Sequence, residues 1–189
     1  MKAFRVSSHD TAPAVEEIAR PDPAEGEIRV AIQACGVNFA DLLMVTGTYQ
    51  DTPALPFTLG MEVAGFVDAV GESVTGLSAG DRVAVFGGQG GLAEYGCFDA
   101  RRAVRLPDDM SMVDASAFQI AYGTSHLALD HRARLQPGET LLVLGAAGGV
   151  GLTAVEIGKL MGAKVVACAR GAAKLEAAKA AGADHLIDA

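Results

Sequence analysis

Residues Thr140 to Ala169 read TLLVLGAAGGVGLTAVEIGKLMGAKVVACA, and the order of textures in that stretch decides the fold. TLLVLG is a continuous apolar run of strand length, GVGLTAVEIGKLMG reads as a helix ended by Gly162, and KVVACA is a second apolar strand. AAKLEAAKAAG follows as another helix, with Gly182 in the C′ position, and ADHLIDA opens a third strand. Strand and helix alternating in this way predict right-handed crossovers and a parallel sheet with buried strands. A complete doubly wound dinucleotide fold uses about six strands. The sequence stops inside its third, so Ala189 reads as a truncation point.

Between the first strand and helix lies GAAGGVG, Gly145 to Gly151. Ala146, Gly148 and Gly151 occupy the GxGxxG positions, with alanine in the first. Glycine in the second lets a pyrophosphate approach the backbone, and glycine in the third lets the helix pack close to the strand. With Gly149 and Val150, these residues open a helix whose free N–H groups and dipole suit phosphate. The competing reading is a tight strand-to-helix turn that holds no ligand. An NAD site commonly places Asp or Glu at the end of the second strand. Here that strand ends ACARGAAK, and Arg170 and Lys174 supply cations where a 2′-phosphate would sit, which favours NADPH over NADH. Against this, the two cations fit an ordinary solvated helix face.

Upstream the texture differs. EIRVAIQA sets Ile28, Val30 and Ile32 against Glu27, Arg29 and Gln33, the alternation of a half-buried strand. EVAGFVDAV, RVAVF and LAEYGCF repeat the theme, punctuated by Gly71, Gly76, Gly80 and the Gly87 to Gly91 cluster, as in a compact β barrel. From Met112, MVDASAFQIAYGTSHLALDH carries apolar residues at mostly helical spacing, with Ser111 as a candidate N-cap. The fold class is therefore mainly-β followed by α/β, divided into 1–122 and 123–189.

The net charge of −8 opposes the phosphate neutralisation on which nucleic-acid binding depends. Three widely spaced cysteines, Cys35, Cys97 and Cys168, fit a reducing, cytoplasmic setting better than a disulfide framework. The opening MKAFRVSSHD lacks an apolar stretch of signal-peptide length, and no uncharged window reaches membrane-spanning length. CGVNFAD raises a separate question, because Cys35, Asn38 and Asp41 would line one face of a helix, where several ligands can meet one metal ion. His9, His126, His131 and His185 show no ligand spacing, and Cys35 also reads as a small buried hydrophobe.

CGVNFADLLMVTGTY, PFTLGMEVAGFV, GDRVAVFGGQGGLAEY and LLVLGAAGGVG, followed by GADHLID, together resemble the zinc-free quinone oxidoreductase branch of the medium-chain dehydrogenase/reductase superfamily. The resemblance runs in register through the whole chain. It implies a GroES-like β barrel domain followed by a Rossmann domain, the barrel being completed by a C-terminal segment. Where zinc-dependent relatives carry a ligating Cys and the His of a GHE triplet, this sequence has Asn38 and Met61, and it lacks the four Cys of their structural zinc lobe. The resemblance also places Asn38, Tyr49 and Thr124 around the nicotinamide, with Tyr49 at the position proposed as proton donor in related enoyl-thioester reductases. Asn38 has a rival reading as a helix N-cap, and Tyr49 as a barrel aromatic with its hydroxyl in solvent. Gly60 and Glu62 read as backbone geometry and packing, Asp41 as able to orient backbone or to act, and Gln89 as part of a loop near the cleft. The expected protein is an NADPH-dependent reductase of a quinone or other conjugated carbonyl, homo-oligomeric if the native chain is longer. The alternatives are an NADPH-binding protein without turnover and an inactive fragment.

Overall fold

The computed structural model describes residues 1–189, which form two compact units, Met1–Gln119 and Ile120–Ala189. In the first unit the strands are β1 (Lys2–Val6), β2 (Ala14–Glu17), β3 (Glu27–Gly36), β4 (Phe57–Thr58), β5 (Glu62–Val70), β6 (Arg82–Phe86), β7 (Tyr95–Asp99) and β8 (Ala103–Arg105), with helices α1 (Phe39–Val45) and α2 (Met112–Ser116). A five-stranded sheet runs β7-β3-β5-β6-β8 with every pairing antiparallel, and a three-stranded sheet runs β2-β1-β4. The alternation in EIRVAIQA has its expected effect, since Ile28 and Val30 are fully buried. They pack with Val63, Val67, Val83, Val85 and Phe98 into one core. On another face Ala64 and Ala84 are covered by Ala115 of α2, and their small side chains let the helix lie close. Register shifts between Arg29 and Val30 and between Ile32 and Ala34 break the β3–β5 ladder, and such bulges bend a strand and raise its twist.

The second unit contains α3 (Ala121–His126), β9 (Thr140–Leu144), α4 (Gly149–Leu160), β10 (Lys164–Ala169), α5 (Ala172–Ala180) and β11 (His185–Asp188). Its sheet is parallel in the order β11-β10-β9. Gly162 and Gly182 follow the C-caps of α4 and α5 with φ of +83° and +107°, a left-handed conformation that ends a helix at low cost only for glycine. Val143, Ala146, Val155, Val165, Ala167 and Ala178 form the core between the sheet and the two helices.

Two expectations are corrected. The run after Met112 is not one helical stretch: α2 ends at Ser116, and α3 begins at Ala121 and passes into a π-helical segment, Leu127–Arg132. Ser111 caps only the first piece, its hydroxyl accepting the Asp114 N–H. The apolar run of β9 is also not buried on both sides, because Leu142 and Leu144 are 54% and 72% exposed. Helices α4 and α5 share one core and cover one face of the sheet, so alternate residues of the run point away from it. No helix is long and apolar enough to cross a membrane.

Ile28 is fully buried at the centre of the β-rich core. Ile28→Ala should therefore destabilise the first unit by about 2–5 kcal/mol, read as a lower urea midpoint with unchanged slope.

Candidate functional site

In the first unit the chain turns from β3 into α1 through Gly36, Val37 and Asn38. Cys35 is the last but one residue of β3, Asn38 is the helix N-cap and Asp41 is the third helical residue, so these three do not share a helix face. The Asp41 carboxylate is buried and accepts the Asn38 N–H at 2.8 Å and the Gly60 N–H at 3.0 Å. It orients backbone, clamping the start of α1 to the turn that leads into β5. Asn38 and Asp41 complete a reciprocal capping box, with the Asn38 side chain facing the Asp41 N–H. That N–H makes its full bond, 3.0 Å long, to the Asn38 main-chain carbonyl, so the side-chain approach is the weaker of the two. The Asn38 amide nitrogen donates to Glu62 Oε1 at 3.0 Å, and Glu62 is only 2% exposed.

Glycines make this arrangement possible. A Cβ on Gly36 would lie 2.4 Å from the Ser116 carbonyl oxygen and 2.6 Å from Glu62 Oε1. Gly60, at φ +95°, leaves no room either, since its Cβ would meet Cys35 Sγ and the Leu92 nitrogen, each at 2.6 Å. Desolvation, then the Asp41 charge and then the Glu62 charge, push the Cys35 thiol up to about 12. It is a protonated, weakly nucleophilic neighbour of the site. No group of three His, Cys, Asp or Glu side chains is arranged to hold a metal ion. Tyr49 is half-buried beyond the end of α1, and its main-chain carbonyl accepts the Thr52 hydroxyl at 2.6 Å. Val37 and Phe39, flanking Asn38, are 73% and 74% exposed.

In the second unit Gly145 takes the left-handed turn, φ +64°, and the buried Ala146 donates its N–H to the Cys168 carbonyl at 3.0 Å. Gly148 caps α4, whose first intrahelical bond is Leu152 N–H to the Gly148 carbonyl, 2.8 Å. The N–H groups of Gly149, Val150 and Gly151 precede that bond and have no partner within the helix. A Cβ on Gly151 would come within 2.3 Å of the Gly145 carbonyl oxygen, so glycine is required for the helix to start this close to the strand. Around Gly148 and Gly149 the space is open, with nothing nearer to an added Cβ than 3.5 Å.

A cavity of about 480 Å³ lies over this turn, lined by Gly145, Ala147, Gly148, Cys168, Arg170 and Lys174 among others. Glycine turn and cations thus share one cavity, whose open backbone and two cationic side chains suit phosphate groups. Arg170 is exposed, its Nε donating to the Ala189 carbonyl at 3.3 Å, and Lys174 stands exposed in the first turn of α5. Thr124 is exposed on α3. The structure therefore places Asn38 and Tyr49 in the first unit, and Thr124 with the cradle in the second.

Sequence reasoning did not single out Ser125 and Thr153. Both are buried, Ser125 Oγ donates to the Val150 carbonyl at 2.8 Å, and Thr153 Oγ1 lies 2.8 Å from Ser125 Oγ and 3.0 Å from the Ala121 carbonyl oxygen. They fasten α3 to the first turn of α4. The available signal was weak: Ser125 lies in the polar-rich AYGTSH, and Thr153 alone is a hydroxyl in the mostly apolar GVGLTAVEIGKL, where burial requires a partner.

The alcohol dehydrogenase GroES-like domain family matches residues 24–108. Among curated relatives, quinone oxidoreductase-like protein 2 of Mus musculus is 40% identical over 175 residues, 92% of this chain and 50% of that protein. The quinone oxidoreductase of Lama guanicoe is 38% identical over 173 residues, 89% of this chain and 52% of that protein. The solved quinone oxidoreductase of Escherichia coli complexed with NADPH has a TM-score of 0.91 at 33% identity, covering 100% of this chain and 58% of that one. The chain spans about half the length of the curated relatives it matches. The β-rich unit is a GroES-like domain, and the second unit is a three-stranded part of a Rossmann-type sheet.

Folded-state elevation of the Cys35 thiol predicts a definite pH response. A proton held more tightly in the folded than in the unfolded chain stabilises below the unfolded value, near 9, and that stabilisation is lost as pH rises from there toward about 12. Urea unfolding at pH 8 and pH 10 should show a larger alkaline loss for the wild type than for Cys35→Ala, and Cys35 should resist iodoacetamide at pH 8 until the chain unfolds.

Proposed function

We propose that this chain, which belongs to the zinc-free quinone oxidoreductase branch of the medium-chain dehydrogenase/reductase superfamily, is the barrel and the dinucleotide-cradling part of an NADPH-dependent reductase of quinones or other conjugated carbonyls. The observation that carries the reading is the cavity in which the α4 N-terminus, Arg170 and Lys174 face the same space. NADPH, when bound, supplies the hydride.

The chain's own residues bind and orient. Gly149, Val150 and Gly151 offer main-chain N–H groups to the pyrophosphate, and open space at Gly148 lets it approach. Arg170 and Lys174 take the 2′-phosphate. Lys174 sits in the first turn of a helix that has no acidic residue there. A cation at that end opposes the helix dipole, a cost that a bound phosphate offsets. In the first unit the half-buried Asn38 amide donates to the acceptor's carbonyl oxygen, where charge develops during reduction. Exposed Val37 and Phe39 beside it supply apolar surface for a quinone or enone ring. In that unit Tyr49 delivers the proton and Gln89 contributes from its glycine-rich loop; in the second unit Thr124 supplies a hydroxyl. The substrate is a small molecule, and the setting of the whole protein is cytoplasmic and homo-oligomeric.

The share of its relatives that the chain spans favours a second reading, cofactor binding without turnover.

NADPH and NADH titrations of the purified chain, followed by nicotinamide fluorescence, test the cofactor assignment. NADPH should bind the more tightly, and Arg170→Ala should weaken it about tenfold while leaving NADH within about twofold, the loss of one charge-assisted contact. Equal affinity for both cofactors, or no effect of the substitution, overturns the 2′-phosphate assignment.

A further inference from the structure

Glu62 is a carboxylate at 2% exposure on the first strand residue after the Gly60 turn, and one of its contacts goes to a half-buried amide. A buried charged group is costly unless a specific geometry uses it. We propose that Glu62 is a positioning residue: it fixes the orientation of the Asn38 amide so that one N–H of that amide is held ready for a ligand acceptor.

The geometry gives each end of the amide one direction. Nδ2 donates to Glu62 Oε1 at 3.0 Å. The opposite orientation would set Oδ1 against the carboxylate oxygen, two acceptors without a proton between them. Oδ1 is directed instead toward the Asp41 N–H, as the capping box requires. An amide nitrogen carries two N–H groups, so one remains when Glu62 has taken the other. The main chain cannot drift, because the Asp41 carboxylate holds the Asn38 N–H at 2.8 Å and the Gly60 N–H at 3.0 Å. The carboxylate itself is confined by Gly36, where any side chain would collide with Oε1. Pre-set donors are worth more than donors that must reorganise as charge develops.

What the free N–H serves rests on the reductase reading, whereas the orientation does not, and the experiment separates the two. In the ligand-free 189-residue chain, ¹⁵N NMR of the Asn38 side chain should show two well-separated NH₂ proton shifts. These should persist in Glu62→Gln, whose Oε1 still accepts, and collapse toward free-amide values in Glu62→Ala. Backbone shifts of Met44 and Val63 report whether each variant remains folded. An Asn38 signature unchanged in folded Glu62→Ala overturns the proposal. NADPH-dependent reduction of 9,10-phenanthrenequinone gives the second readout. Glu62→Ala and Asn38→Ala should each lower kcat about 10²-fold with KM for NADPH within about twofold, their combination should add little, and Glu62→Gln should restore most of the rate. Fully additive losses overturn the coupling. A wild-type 189-residue chain that reduces no quinone refutes turnover by this chain and leaves the NMR result to decide the role of Glu62.

Discussion

The Asp41 carboxylate is the constraint on which the first unit's candidate site depends. At 4% exposure it accepts two main-chain N–H groups from segments well separated in sequence, one opening α1 and one in the turn before β5. Removed from water, a carboxylate is tolerable where N–H donors replace its hydration. The neighbouring geometry follows from that requirement. Gly60 must be glycine, because its φ is +95° and Cys35 Sγ and the Leu92 nitrogen occupy the space of a Cβ. Two residues later the strand delivers Glu62 beneath Asn38.

The second unit builds its candidate site from backbone geometry rather than from buried charge. Its critical approach is Gly151 against the Gly145 carbonyl, which leaves no volume for a Cβ and so brings the first turn of α4 to the mouth of β9. Alanine in the first motif position has a local explanation. The left-handed residue of the turn is Gly145, whereas Ala146 lies buried against the sheet with its N–H on the Cys168 carbonyl. Ser125 and Thr153 then hold α3 to the turn through hydroxyl bonds rather than shape alone.

Features set by short-range rules were legible in the sequence: the alternation that buries Ile28 and Val30, the βαβαβ order, the glycine turn, and Gly162 and Gly182 as helix terminators. Less legible were features set by distant partners. Glu62 reads as packing in a linear sequence because its Asn38 partner lies 24 positions away, and Ser125 and Thr153 are separated by 28. Leu142 and Leu144 show the complementary limit, since an apolar run specifies a strand but not how many of its faces are covered. The break between α2 and α3 escaped notice because Ala117 to Ile120 contains neither glycine nor proline to mark it.

The pattern of ion pairing sharpens the reading of the cofactor cavity. Carboxylates near the end of the sheet are already engaged: Asp188 accepts the Gly171 N–H at 2.8 Å, and Asp184 takes the Lys159 ammonium at 2.8 Å and the Val165 N–H at 2.7 Å. That pairing holds the Asp184 carboxyl below its ordinary range, with the Lys159 bond as the largest cause. Arg170 and Lys174 form no ion pair with any Asp or Glu side chain, although the net charge of the chain is −8. Two cations that no Asp or Glu side chain neutralises, beside a helix N-terminus with no acidic residue in its first turn, concentrate positive potential on one cavity. Positive potential from side chains and from a helix N-terminus therefore converges on one cavity, which this unit's own electrostatics suit to an anionic ligand.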